Sequence, residues 1–303
     1  MLFFILEMKI AVLLTVYNRK EKTLACLDSL ENSLVQKENS KMIVDVFLTD
    51  DGCTDGTSKA IGERKYNFII HLLQGNGYLY WNCGMINSWK TAMKYDDYDG
   101  FLWLNNDVVL NTNLWEELIE TENFSINHYK QKGIYVGSTY DPNTKKLSYG
   151  GFDFISKWTL KDRFVIPDGS SIQSCQCAHG NITYISKEVV EKMGVLYEGY
   201  IHGGGDHDYT YRAYKAGFPV LVMKNYVGIC ENDHMKKRHV DFMRMSLGER
   251  IKYMKSPFGL NLHNILLFQK RCFPYRYPFV WLIGYLKALF PILYFKIYRF
   301  LRE

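Results

Sequence analysis

Residues 10–19 read IAVLLTVYNR and residues 42–57 read MIVDVFLTDDGCTDGT. Each is a largely apolar run that stops abruptly at a polar cluster. The runs are too short for helices and too continuous for half-exposed strands, so they predict strands covered on both faces. Residues 20–30 lie after the first run, with Leu24, Leu27 and Leu30 on one helical face. Residues 55–64 follow the second in the same way. The rhythm continues with a strand over 68–73, a helix over 82–93 and a strand over 100–104. Alternation of this kind predicts an α/β fold with a mostly parallel central sheet, helices on both faces and right-handed crossovers.

Outward from that core the signals shorten. Residues 133–185 read as short strands and turns, with helices expected over 186–193 and 208–216. Strand character returns at 219–223 and again at 226–229. Beyond residue 234 the chain becomes basic. Residues 235–303 hold 14 Lys and Arg against 3 Asp and Glu, whereas residues 1–234 hold 23 against 29. The net charges of +11 and −6 divide the chain into a body, 1–234, and a basic, aromatic-rich helical extension, 235–303. Apolar residues dominate 279–295, interrupted by Lys287 and Pro291. That pattern suits a helix lying in the interface of an anionic membrane. So many large apolar residues among the cations argue against nucleic acid as a partner.

The seven cysteines show no zinc-site spacing and read as reduced thiols of a cytosolic protein. The apolar start is broken by Glu7 and lacks a small-residue cleavage site, so it does not read as a signal peptide. Met8 is an alternative start. No uninterrupted apolar run is long enough for a spanning helix.

In an open α/β sheet ligands bind beyond the carboxyl ends of the strands. The clusters there are Thr15 to Arg19, Thr49 to Thr57, Gly75 to Asn82 and Asn105-Asn106-Asp107. A dehydrogenase-type dinucleotide site is disfavoured, because Tyr17-Asn18-Arg19 stands where its glycine-rich turn should be. The chain also lacks the GxxxxGK[ST] loop. A diphosphate would therefore need basic side chains or a metal, and Asp107 suits a hard divalent cation. Asp51 and Asp55 read as turn and capping residues. Trp103 reads as core, and Trp81 as a stacking surface beside the site. His202 and His207 would line an acceptor pocket, and His179 reads as structural or donor-adjacent.

Four segments together resemble family 2 glycosyltransferases of the GT-A fold, the nucleotide-diphospho-sugar transferase fold, over about residues 8–234. They are Val12 to Arg19, Thr49 to Thr57, Leu102 to Asp107, and Gly203-Gly204-Gly205-Asp206-His207-Asp208-Tyr209 with the helix that follows. The resemblance implies transfer of a sugar from a nucleotide-diphosphate donor, with inversion, to a glycan or polyprenol-linked acceptor. It implies that Asp50, Tyr17, Arg19, Asn82, Trp81 and Asn106 border the donor. Asp107 and His234 would hold Mn²⁺ or Mg²⁺, and Asp206 or Asp208 would be the base. Two positions depart from the family pattern. Asn105 and Asn106 stand where acidic residues are usual, and Gly205 stands where Glu is. The expected setting is cell-surface polysaccharide synthesis at the cytoplasmic face of the cell membrane. The alternative is a non-catalytic nucleotide-sugar-binding scaffold that kept the fold.

Overall fold

The computed structural model describes residues 6–34, 40–232 and 242–300. They form two compact units. Residues up to Glu198 and the segment Gly205–Asn232 make the first. The segment Gly199–Gly204 joins the C-terminal residues in the second.

The first unit opens with β1 (Leu6–Val16), α1 (Lys20–Ser33), β2 (Ser40–Asp50), α2 (Thr57–Gly62), β3 (Ile69–Gln74), α3 (Tyr80–Tyr95) and β4 (Gly100–Leu104). It continues through β5 (Val109–Leu110), α4 (Leu114–Tyr129), β6 (Ile134–Tyr140), β7 (Leu147–Tyr149), β8 (Gly151–Ser156) and β9 (Lys161–Phe164). Then come β10 (Gln173–Ser174), β11 (Cys177–Ala178), β12 (Ile182–Ser186), α5 (Lys187–Met193), α6 (Gly205–Lys215) and β13 (Val220–Ile229). Among the described residues the main sheet runs β10-β13-β6-β12-β4-β1-β2-β3, and β11-β8-β9 form a small separate sheet.

Strands β4, β1, β2 and β3 are mutually parallel, as expected. Val16 pairs with Asp50 and Asp50 with Gln74, so the polar strand ends fall on one edge. Beyond β4 the sheet is mixed, because β12 runs antiparallel to both β4 and β6. The Tyr184 hydroxyl of β12 also donates to the Asp99 carbonyl.

The alternation in β1 accounts for the two helical layers. Ile10, Val12, Leu14 and Val16 face one core with Leu24, Leu27 and Leu30 of α1 and Leu118 of α4. Ala11 and Leu13 face the other, with Met85, Ile86 and Trp89 of α3. Each fully buried large side chain contributes roughly 1.5–3 kcal/mol. Since both faces are apolar, polarity cannot set the register. Shape supplies part of what polarity does not: Trp103 packs against Trp89 and Tyr209, each at a centroid distance of 5.5 Å.

Three elements differ from the expected pattern. Helix α4 lies in a stretch for which no helix was anticipated. Strand β13 is continuous across Lys224 and Asn225, which had read as a break. These two residues are satisfied by α4: the Lys224 ammonium pairs with Glu120 and the Asn225 amide donates to Glu117, both at 2.6 Å. Helix α6 begins at Gly205, three residues early, so Asp206 and Asp208 both occupy its first turn. Carboxylates are favoured there by the helix dipole and the free N–H groups.

The second unit contains α7 (Leu247–Lys255), α8 (Leu262–Cys272), α9 (Tyr277–Leu289) and α10 (Pro291–Phe300). Ser246 and Glu249 close a capping box on α7. Asn264 of α8 anchors the 199–204 segment, accepting from Ile201 N–H at 3.3 Å and donating to the Gly203 carbonyl at 2.6 Å. Phe279, Trp281, Leu282, Leu289, Ile292 and Leu293 are exposed. No helix among the described residues is long and apolar enough to cross a membrane. The boundary expected at residue 234 falls outside the described residues.

Candidate active site

The site is built on the shared edge of the parallel strands. After β1 the backbone enters the left-handed region at Asn18 (φ 56°) and Arg19 (φ 67°). Asn tolerates this conformation; for Arg it costs of order 1 kcal/mol and must be held in place. The holding bonds are visible. The Asn18 N–H points to the Cys53 sulfur at 3.0 Å, and the Asn18 side-chain oxygen accepts from Thr54 N–H at 2.9 Å. The bend sends the Arg19 guanidinium to Asp107, with Nη1 2.8 Å from Oδ2. Tyr17 stands exposed beside it.

The three aspartates after β2 do three different things. Asp50 is buried and accepts from Cys53 N–H at 2.6 Å and from the Ser58 hydroxyl. Burial pushes its carboxyl up, but the bonds from Ser58 and Cys53 outweigh that and hold it below its ordinary value. Asp51 reaches across to the loop before α3, accepting from Gly77 N–H at 2.8 Å and Tyr80 N–H at 2.9 Å. Asp55 accepts from Lys20 N–H and Thr57 N–H, tying the turn to the start of α1. Turn and capping roles for Asp51 and Asp55 agree with their sequence context. The Asp51 reach shapes the Gly75–Tyr80 loop and with it the placement of Trp81 and Asn82. Asn82 is fully buried, its amide donates to the Tyr197 carbonyl at 2.9 Å, and its side-chain oxygen has no partner among the described residues.

The three residues after β4 also divide. Asn105 accepts from the Trp81 indole N–H at 2.7 Å. The Asn106 amide is buried and donates to Thr23 of α1 at 3.0 Å. Asp107 stays partly open, with its side chain 17% exposed and Cys230 Sγ 3.8 Å from Oδ1. Among the described residues no cluster of three or more metal-ligating side chains surrounds it. One hard carboxylate at a strand end still fits Mg²⁺ or Mn²⁺, whose remaining positions can be filled by water and phosphate oxygens. His234, the other expected ligand, lies outside the described residues.

Trp81 joins this cluster to the acidic helix. The Gly180 backbone comes so close that a Cβ there would sit 2.6 Å from the indole and 3.4 Å from Asp206 Cβ. Only glycine permits that approach. Gly180 N–H donates to Asp206 Oδ2 at 3.0 Å, while Asp206 Oδ1 accepts from His207 N–H at 2.9 Å. The Asp206 side chain keeps 15% of its surface open. Asp208 is different: its side chain is 1% exposed and pairs with Arg212 one turn along α6 at 2.9 Å. Of the two candidate bases, Asp206 is the one with an open face.

The geometry therefore joins Arg19 to Asp107, and Asn105 to Trp81, Gly180 and Asp206. Asp50 and Asn106 turn their polar groups into the protein's own turns and helices. Sequence reading missed the Arg19–Asp107 pair and the Gly180 contact. The left-handed bend after β1 and the small residue after His179 were the only local signals for them.

The family model for glycosyl transferase family 2 matches residues 11–194. The chain belongs to that family. This glycosyltransferase is similar in fold to a mannosyltransferase from Pyrobaculum calidifontis, PcManGT, solved with GDP-Man and Mn²⁺. The TM-score is 0.53 at 14% identity, covering 92% of this chain and 75% of that one. It is similar to TarS 1–349 from S. aureus, with TM-score 0.53 and 14% identity, covering 93% and 81%. The same TarS segment with UDP-GlcNAc gives 0.52 at 12% identity, covering 87% and 71%. No curated protein sequence matches. The fold is the GT-A fold anticipated from the motifs.

Proposed function

We propose that this glycosyltransferase moves a sugar from a nucleotide-diphosphate donor to a hydroxyl of a glycan or polyprenol-linked acceptor, with inversion, during cell-surface polysaccharide synthesis. The observation that carries the reading is Trp81. Its indole ties Asn105, two residues from Asp107, to the glycine that holds Asp206. In this reading the leaving-group side and the base lie along one wall.

Asp206 takes the proton of the acceptor hydroxyl as the acceptor oxygen bonds the anomeric carbon and the bond to the diphosphate breaks. A single displacement from the face opposite the leaving group inverts that carbon. Asp107, with His234 as a second ligand, would hold Mn²⁺ or Mg²⁺, which would supply positive charge to the departing diphosphate. The Arg19 guanidinium, 2.8 Å from Asp107, would add a protein cation beside that charge. Tyr17, Asp50, Asn82, Trp81 and Asn106 border the donor. The relatives crystallised with GDP-Man and UDP-GlcNAc support a nucleotide sugar as donor. The reading is tested by donor-dependent release of nucleotide diphosphate and by the anomeric configuration of the product, with a single inverted anomer expected. A retained configuration would overturn the one-step mechanism.

We further propose that the second unit rests on the cytoplasmic face of the cell membrane. Its α9 exposes Phe279, Trp281 and Leu282, and Leu293 of α10 is also exposed. The surrounding region carries the net +11. Lys287 sits within 5.2–5.5 Å of the Phe242, Tyr294 and Phe295 rings. Burial pushes its ammonium below its usual value. The full chain is expected to co-sediment with anionic vesicles and less with zwitterionic ones, with binding weakened by salt. Each large apolar side chain that enters the bilayer contributes roughly 1.5–3 kcal/mol. The Phe279→Ser, Leu293→Ser double variant should then bind at least about 100-fold more weakly. Equal sedimentation of the two proteins would contradict the proposal.

A further inference from the structure

Two histidines that the transfer step leaves unused lie beside Asp206, His207 against its carboxylate and His179 against the His207 ring. The Asp206 carboxylate lies in a largely buried recess at the start of α6. His207 places Nε2 3.8 Å from Asp206 Oδ2. His179, next to Gly180, packs its ring 5.0 Å from the His207 ring at 84°. His179 is held firmly: Nδ1 lies 3.0 Å from the Gly150 carbonyl, which fixes the N–H on that nitrogen. The rings of Tyr149, Phe152 and Phe164 surround it at 5.2–5.6 Å. Phe152 also stands edge-on to His207 at 5.0 Å. Strand β8 and its neighbours thus form an aromatic frame that presents two imidazoles to one carboxylate.

Among the described residues, the charged groups beside Asp206 come from two places. On its own helix they are His207 and Asp208, the latter paired with Arg212. On the β11–β12 connection there is His179. From α3 comes Trp81, which carries no charge. A carboxylate in such a recess is driven toward its neutral form by desolvation, and a neutral carboxyl cannot accept a proton. Here burial acts in that direction, but the imidazole charges of His207 and His179 and the amides of Gly180 and His207 outweigh it. The carboxyl rests below its ordinary value.

We propose that His207 and His179 are positioning residues that keep the buried Asp206 ionised, so that this imidazole pair sets the acidic limit of sugar transfer. The proposal rests on the reading of Asp206 as the base. The sign follows directly. A carboxyl held low is competent above its folded-state pKa and loses competence as pH falls through it. Without the imidazole charges, desolvation prevails and the acidic limit moves to higher pH.

The test is the pH profile of kcat/KM for the full-length chain and for His207→Gln, His179→Gln, the double variant and His207→Arg. Each Gln single variant should move the acidic limb upward by about one pH unit, a tenfold loss just below the limb. The double variant should shift further. His207→Arg, which keeps a cation, should leave the limb in place. His207 is one-third exposed, and because its ring touches that of His179 the two single variants are read together with the double variant. A uniform loss of activity with an unmoved limb in the Gln variants would overturn the proposal and leave the histidines as packing residues. Asp206→Asn separates the two readings: retained activity there sinks the base assignment itself, whereas a dead Asp206→Asn beside unmoved limbs sinks only the role of the histidines.

Discussion

Replacing Asp206 by Asn is expected to lower kcat by roughly 10²–10⁴-fold, the range for losing a positioned general base, with the donor KM nearly unchanged. The residue touches the protein through two backbone amides, from Gly180 at 3.0 Å and His207 at 2.9 Å. Asn supplies one acceptor and turns its NH₂ toward the other amide. The mismatch costs about 1–3 kcal/mol, too little to unfold a domain whose stability is typically about 5–15 kcal/mol. Circular dichroism should therefore show a folded protein with a somewhat lower Tm. Asp208→Asn is the contrasting variant. Asp208 is closed to solvent and bound to the half-buried Arg212, so neutralising it breaks an ion pair on its buried side and should act on stability first. If Asp208→Asn removed turnover without lowering Tm while Asp206→Asn kept it, the two roles would have to be exchanged.

The second large effect is expected at Asp107. Asp107→Ala removes the open carboxylate at the end of β4. A metal-held leaving group is worth several kcal/mol, so kcat/KM should fall by roughly 100-fold or more and cease to respond to added Mn²⁺. A second readout is independent of turnover. Electron paramagnetic resonance of Mn²⁺ with donor should show bound metal in the wild-type chain and free metal in the variant. The ion pair sharpens this expectation. Asp107 gives one oxygen to Arg19, so wild-type affinity for free metal should be weak and should rise when donor diphosphate offers Arg19 another anion. Arg19→Met should bind free Mn²⁺ more tightly than wild type while binding donor more weakly. Equal Mn²⁺ affinity in all three proteins would contradict an anchor at Asp107.

Much of the fold was legible because it is written locally. The apolar runs of β1 and β2, each ending in a polar cluster, require no knowledge of distant residues. The parallel order places those ends on one edge. The antiparallel return of β12 between β4 and β6 was not legible, because it pairs residues about 80 apart and no local period records such a choice. The site shows the same division. The three aspartates at 50, 51 and 55 look alike in sequence. Their roles separate only when the Gly75–Tyr80 loop comes to lie above Asp51. The Arg19–Asp107 pair spans 88 residues, and the imidazole frame of Asp206 draws on β8, β9 and the β11–β12 connection. Motif order could point to Asp206 and Asp107 as chemistry-bearing residues. Their electrostatic partners come from tertiary closure.

The most direct test of a transferase centred on Asp107 and Asp206 is nucleotide diphosphate release from a panel of nucleotide sugars differing in base and sugar. It is run with Mn²⁺, with and without acceptor-bearing membranes, for the full-length chain and its Asp107→Ala and Asp206→Asn variants. The expected result is release from one donor, accelerated by acceptor and abolished in both variants. Tight binding of a donor with no turnover under any condition would contradict it and leave a sugar-nucleotide-binding scaffold in its place.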